Sequence, residues 1–128
     1  SMYTKPEDAK RFAEETQVDA LAIAFGTVHG VYKGTPKLDL PRLEKIKSMV
    51  SIPLVMHGGS GVSDDEFRKA VKSGINKVNF FTEISMAAVA QSVEYCQSKE
   101  NHLHFAEMVL VAKKTVSHIA GHYMELLK

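Results

Sequence analysis

Apolar residues fall along this chain in two kinds of run. At 19–25 (DALAIAF), 52–56 (IPLVM) and 75–81 (INKVNFF) they are short and bunched; elsewhere they recur every three or four positions. Bunched runs with little alternation predict strands covered on both faces, the habit of a parallel sheet. The spaced runs predict helices. One opens at Thr4, with Pro6 in its first turn and Glu7-Asp8 at its positive end, and turns Ala9, Phe12 and Ala13 inward until about Thr16. A second starts at Leu40-Pro41, with Leu43, Ile46, Met49 and Val50 on one side. A third is announced by Ser63 three residues before Glu66, a capping-box pattern, carries Phe67, Ala70 and Val71 inward, and stops at Gly74. Helical spacing returns from Thr82 to about Ser98 and from about Leu103 to Lys128. The last helix carries an apolar stripe that includes Phe105, Val109, Val116, Tyr123 and Leu127.

Strands separated by single helices require right-handed parallel crossovers, so the fold class is α/β with three parallel strands in sequence order. Three strands cannot close a (β/α)8 barrel, which needs eight and runs to about 250 residues. The pattern leaves two architectures: the C-terminal part of such a TIM barrel, with residues 1–128 as one partial domain, or a small open sheet complete in itself. Under the first, strands 19–25 and 75–81 each carry an unpaired edge, which predicts a homo-oligomer.

Composition narrows the partners. The 128 residues are 45% hydrophobic and 24% charged, the makeup of an ordinary globular unit. Sixteen Lys plus Arg against fifteen Asp plus Glu leave a net charge of +1, too balanced for nucleic acid or an anionic membrane as main partner. No apolar run nears the roughly 18 residues that span a bilayer, and the first ten residues lack a signal-peptide core. The lone Cys96 excludes an internal disulfide and fits the cytoplasm.

The candidate chemistry lies in the three loops that leave the strands at their C-terminal ends, where parallel α/β proteins place their sites. They begin TVHG, HGGSG and NFFT. Gly58, Gly59 and Gly61 let backbone amides turn towards an anion, Ser60 adds a hydroxyl, and the following helix adds its positive end. Asn79 and Thr82 can complete that cradle. A Gly-Gly-Ser-Gly loop is by itself more often a tight turn; its place at a strand end favours phosphate. His29 and His57 each precede a glycine at the end of neighbouring strands, so their imidazoles can converge as two ligands of a catalytic zinc. Either alone would be read as a loop histidine held by hydrogen bonds. His118 and His122 share an i, i+4 spacing without the companions of a metal motif, and read as a solvated face. Lys33 and Lys37 could guide an anionic substrate or simply be solvated.

The stretches DALAIAFGTVHGVYKGTPKLDLPRLEKI and IPLVMHGGSGVSDDEFRKAVKSGINKVNFFTEI, in that order, resemble the C-terminal portion of class II, zinc-dependent ketose-bisphosphate aldolases, the fructose- and tagatose-bisphosphate enzymes. The resemblance runs from about Tyr3 to Val89. It implies a (β/α)8 barrel, usually dimeric or tetrameric, that reversibly cleaves a ketose bisphosphate to glycerone phosphate and an aldehyde in carbohydrate metabolism. It makes His29 and His57 two of the zinc ligands, and Gly30, Gly58, Gly59, Ser60, Asn79, Phe80, Phe81 and Thr82 the glycerone-phosphate contacts. Two departures stand out. The family's aspartate proton donor, followed at once by a first zinc-binding histidine, has no counterpart, since no Asp-His pair occurs here. Phe80-Phe81 are bulkier than the small or polar residues expected at the third strand. The chain alone is therefore expected to be inactive. Two competing readings are a metal-free phosphosugar isomerase or synthase on a similar barrel, and a noncatalytic phosphate-binding fragment.

Overall fold

The computed structural model describes residues 3–27, 36–99 and 102–128. The chain divides into two compact units, Ser1–Phe80 and Phe81–Lys128.

The first unit holds the sheet. Its elements run α1 (Pro6–Thr16), β1 (Leu21–Ala22), α2 (Leu40–Met49), β2 (Leu54–Met56), α3 (Asp64–Lys72) and β3 (Ile75–Val78). The strands lie in the order β1-β2-β3 and both pairings are parallel, as the sequence predicts. They are shorter than the apolar runs that announce them. Beyond Ala22 the ladder thins to one bond, from the Ile23 N–H to the Val55 carbonyl at 3.3 Å, while Ile23 and Phe25 remain buried. Burial, not pairing, sets the length of an apolar run, and here the two part company.

Each helix forms where its ends are satisfied. Pro6 opens α1, and Gln17 closes it in the left-handed region at φ 55°. Asp39 caps α2 by accepting the Arg42 N–H at 3.1 Å, and Ser63 caps α3 by accepting the Glu66 N–H at 3.4 Å. The inward faces differ in depth. Leu43, Ile46, Phe67 and Ala70 are fully enclosed with Leu54 and Met56, whereas Phe12 of α1 stays 50% exposed. The β1 edge is also less bare than its sequence predicts. The Thr4 N–H donates to the Ala24 carbonyl and the Thr4 hydroxyl accepts the Ala24 N–H, both at 2.8 Å. Arg42 holds that segment in place through the Thr4 carbonyl at 3.3 Å, with its guanidinium 5.4 Å from the Tyr3 ring centre.

β2 and β3 do not run in simple step. Leu54 pairs with Ile75, but Val55 pairs with Lys77 and Met56 with Val78, so Asn76 is an extra residue in β3. Its side chain makes good part of the interrupted ladder, since Asn76 Oδ1 accepts the Leu54 N–H at 3.1 Å. The bulge changes which face each later residue of β3 occupies.

The second unit is a helical hairpin of α4 (Thr82–Ser98) and α5 (Phe105–Leu126). Two tyrosine-carboxylate hydrogen bonds clasp it, Tyr95 to Glu107 and Tyr123 to Glu83. Of the predicted α5 stripe, Tyr123 is buried, whereas Phe105, Val109, Val116 and Leu127 are exposed. Among the described residues, no helix is long and apolar enough to cross a membrane.

Candidate active site

β2 ends at Met56, and His57 follows at once. Strand alternation puts Val55 and His57 on one face and Leu54 and Met56, both fully buried, on the other. The bulge brings β3 into phase with this arrangement. Lys77 stands opposite Val55, and the Asn79 N–H donates to the Met56 carbonyl at 3.1 Å, which sets Asn79 beside His57. The two side chains meet: Asn79 Nδ2 is 3.2 Å from His57 Nδ1 and 3.3 Å from Nε2. Lys77 Nζ donates to Asn79 Oδ1 at 2.7 Å. A polar line Lys77–Asn79–His57 therefore crosses the site face of the sheet. Alongside it, His57 borders a cleft of about 400 Å³ whose wall is Ala22, Ile23, Ala24 and Thr27, with Thr4 at one side.

The glycine turn starts from the same histidine. Gly58 and Gly61 hold φ of 71° and 86°, in the region that disfavours side chains, and the Val62 N–H closes the turn on the Gly59 carbonyl at 3.2 Å. Ser60 is buried within it, at 9% exposure. The sequence reading also enlists the positive end of the next helix. That end is already complemented by the Ser63 cap and by Asp64, Asp65 and Glu66 in the first turn of α3. Any anion binding here rests on the turn itself.

The predicted residues of the third loop separate. Asn79 faces His57, but Phe80 is one residue on and points to the helix side. Its ring packs against Phe67 of α3, with centroids 5.5 Å apart. Its bulk therefore fills the layer beneath the glycine turn, and contact with a ligand from position 80 would come through the backbone. Phe81 and Thr82 begin the second unit, Phe81 as the 77% exposed N-cap of α4 and Thr82 as its first residue. His29 and Gly30 lie outside the described residues, as does Lys33.

The donors on hand bear on a metal. Among the described residues no group of three His, Cys, Asp or Glu stands close enough to hold an ion. His57 offers an imidazole at a strand end, edged by an amide that can orient it, and such nitrogen donors suit zinc. It fits as one ligand of a set and cannot hold zinc alone. Sequence reading missed Lys77 and the Asn76 bulge. Lys77 had a signal: it sits two residues before Asn79, hence on the same strand face. The bulge had none, because an Asn inside a short apolar run does not announce an interrupted ladder.

A family model described as class-II fructose-bisphosphate aldolase matches residues 1–128. Among solved structures, the YdjI aldolase from Escherichia coli K12 is similar at 36% identity and a TM-score of 0.87, over 98% of this chain and 46% of that one. A chain from Coccidioides immitis described as a fructose-1,6-biphosphate aldolase matches at 27% identity and a TM-score of 0.82, over 98% of this chain and 43% of that one. The fructose-bisphosphate aldolase from Campylobacter jejuni, at 24% identity and a TM-score of 0.81 over 98% of this chain and 45% of that one, shares the fold. The chain spans rather less than half the length of each, as part of a (β/α)8 barrel would.

Proposed function

Because the chain belongs to the class II fructose-bisphosphate aldolase family, we propose that the protein carrying it is a zinc-dependent aldehyde-lyase. It reversibly cleaves a phosphorylated ketose to glycerone phosphate and an aldehyde, in the cytoplasm and as a homo-oligomer. The observation that carries this reading is the adjacency of His57, its partner Asn79 and the Gly58–Gly61 turn at one end of the sheet.

Each part has a task. The turn, with Gly58, Gly59 and Ser60, takes the substrate phosphate, joined by Gly30 and by the Asn79–Thr82 segment. Held there, the phosphate anchors the far end of the substrate, so that remote binding energy fixes the reacting carbons. His29 and His57 hold zinc together with donors from outside this chain. When bound, zinc supplies a Lewis acid that polarises the ketone. Asn79 keeps the His57 ring in place and points its N–H2 into the site. The sequence contains no Asp-His pair, so the group that protonates the departing aldehyde oxygen comes from elsewhere in the protein.

The test is cleavage of fructose and tagatose bisphosphates by the full-length protein before and after chelation. Activity that chelator removes and zinc restores, and that His57→Ala abolishes, is expected. An enzyme that turns over a phosphosugar equally well without metal would favour the isomerase or synthase reading.

A further inference from the structure

We propose that Lys77 is a positioning residue of this site: it fixes the side-chain amide of Asn79 so that the N–H2 end, and not the carbonyl, faces His57 and the anion cradle. The inference rests on the aldolase reading for its catalytic consequence, but not for its geometry.

The argument is one of donors and acceptors. An asparagine amide has nearly the same shape either way round, so only its neighbours decide which end goes where. A lysine ammonium carries three donors and no acceptor. With Lys77 Nζ at 2.7 Å, the near atom of Asn79 has to be Oδ1. The far atom, 3.2 and 3.3 Å from the two ring nitrogens of His57, is then Nδ2, which can only donate. Nearly equal distances to both ring nitrogens set the amide against the ring and not on one nitrogen's lone pair, so Asn79 leaves that lone pair to a metal. Nδ2 carries two hydrogens and is left to donate to an oxygen of the substrate. Turned the other way, Asn79 would present a carbonyl oxygen to an anionic ligand and repel it.

The strand geometry supports a dedicated role. Lys77 and Asn79 share a face only because they are two apart, and that face is the one carrying His57 only because Asn76 is an extra residue. On a closed barrel this face is the interior, where a lysine needs an acceptor to be tolerated. The Asn79 carbonyl oxygen is such an acceptor.

The experiment uses the full-length protein with Lys77→Met, Lys77→Arg, Asn79→Ala, Asn79→Asp and the double variant Lys77→Met/Asn79→Ala. The first readout needs no activity: long-range ¹H–¹⁵N spectra of the histidine rings in the metal-free protein. Lys77→Met should move the His57 ring nitrogens as Asn79→Ala does, and Lys77→Arg should leave them near wild type. Asn79→Asp keeps a partner for Lys77 but has no hydrogen to give, so it should also shift the ring while preserving the fold. The second readout is inorganic phosphate affinity. Lys77→Met should weaken it about tenfold, the loss of a charge-assisted bond, and should add nothing in the Asn79→Ala background. An equal loss in both backgrounds would mean that Lys77 meets the anion itself, and would overturn the proposal. So would His57 signals that ignore Lys77→Met while responding to Asn79→Ala. If no ketose bisphosphate is cleaved by the wild type, the aldolase reading fails, and the ring spectra still decide the role of Lys77.

Discussion

A Cβ placed on Gly59 would lie 2.8 Å from Cε1 of Phe80 and 2.9 Å from Cγ1 of Val78. Glycine is required here by proximity, because the backbone of the turn rests directly on the aromatic ring. Gly59→Ala should therefore cost about 1–3 kcal/mol, read as a lower denaturant midpoint. In a Phe80→Val background part of that cost should vanish, since one of the two obstacles has gone. Strict additivity of the two changes would show that the contact is not the cause.

Depth of burial separates two phenylalanines that the sequence treats alike. Phe67 is fully enclosed and packs on Phe80, so Phe67→Ala should destabilise by about 3–5 kcal/mol. Phe12, half exposed on α1, should tolerate alanine with a change of only about 0.5 kcal/mol. Thermal unfolding of the pair checks the ranking.

Ser63 caps α3 through the Glu66 N–H. Ser63→Ala should cost about 1 kcal/mol, and Ser63→Asp should restore most of it, by the same unfolding measurement.

In the helical hairpin, the Tyr95 hydroxyl donates to Glu107, and that bond holds its pKa above the ordinary 10.0, with desolvation and the carboxylate's charge acting in the same direction. A raised folded value favours the protonated form. The clasp therefore contributes in full below pH 10.0 and is lost as pH rises through the raised value. Alkaline titration of tyrosinate absorbance should show a late component that Tyr95→Phe removes and Glu107→Gln brings back towards the usual range.

Catalysis should not survive in the 128-residue chain by itself. Two histidines hold zinc less well than three, and general acids typically supply about 10²- to 10⁴-fold in rate. No measurable fructose-bisphosphate cleavage is expected from the chain with added zinc. In the full-length protein, Ser60→Ala should mainly raise KM. Robust turnover by the short chain would mean that the acid and the missing donors have been sought in the wrong place.

The sequence was most legible where one physical cause dominates. Apolar bunching predicts three parallel strands, and capping chemistry predicts the start of α3 at Ser63, because burial and unpaired N–H groups act locally. Strand ends were less legible: Ile23 and Phe25 are buried like strand residues, although the regular ladder stops at Ala22. The α5 stripe predicted more burial than occurs, since periodicity marks an apolar face without saying what covers it. At the candidate site, glycines beside His57 pointed to a turn at a strand end, and the turn is there. Which of Asn79 and Phe80 comes to the face of His57 was hidden, because it depends on a one-residue irregularity in the ladder.

That irregularity makes β3 a strand read in two frames. Before Asn76 its residues keep step with Leu54; after it they are offset by one, and only in the second frame does Asn79 come up beside His57. Were Asn76 instead paired in step opposite Val55, the place beside His57 would fall to Val78, and Asn79 would turn to the face of Met56. The fault in the ladder is therefore where the fold and the proposed chemistry are kept in register.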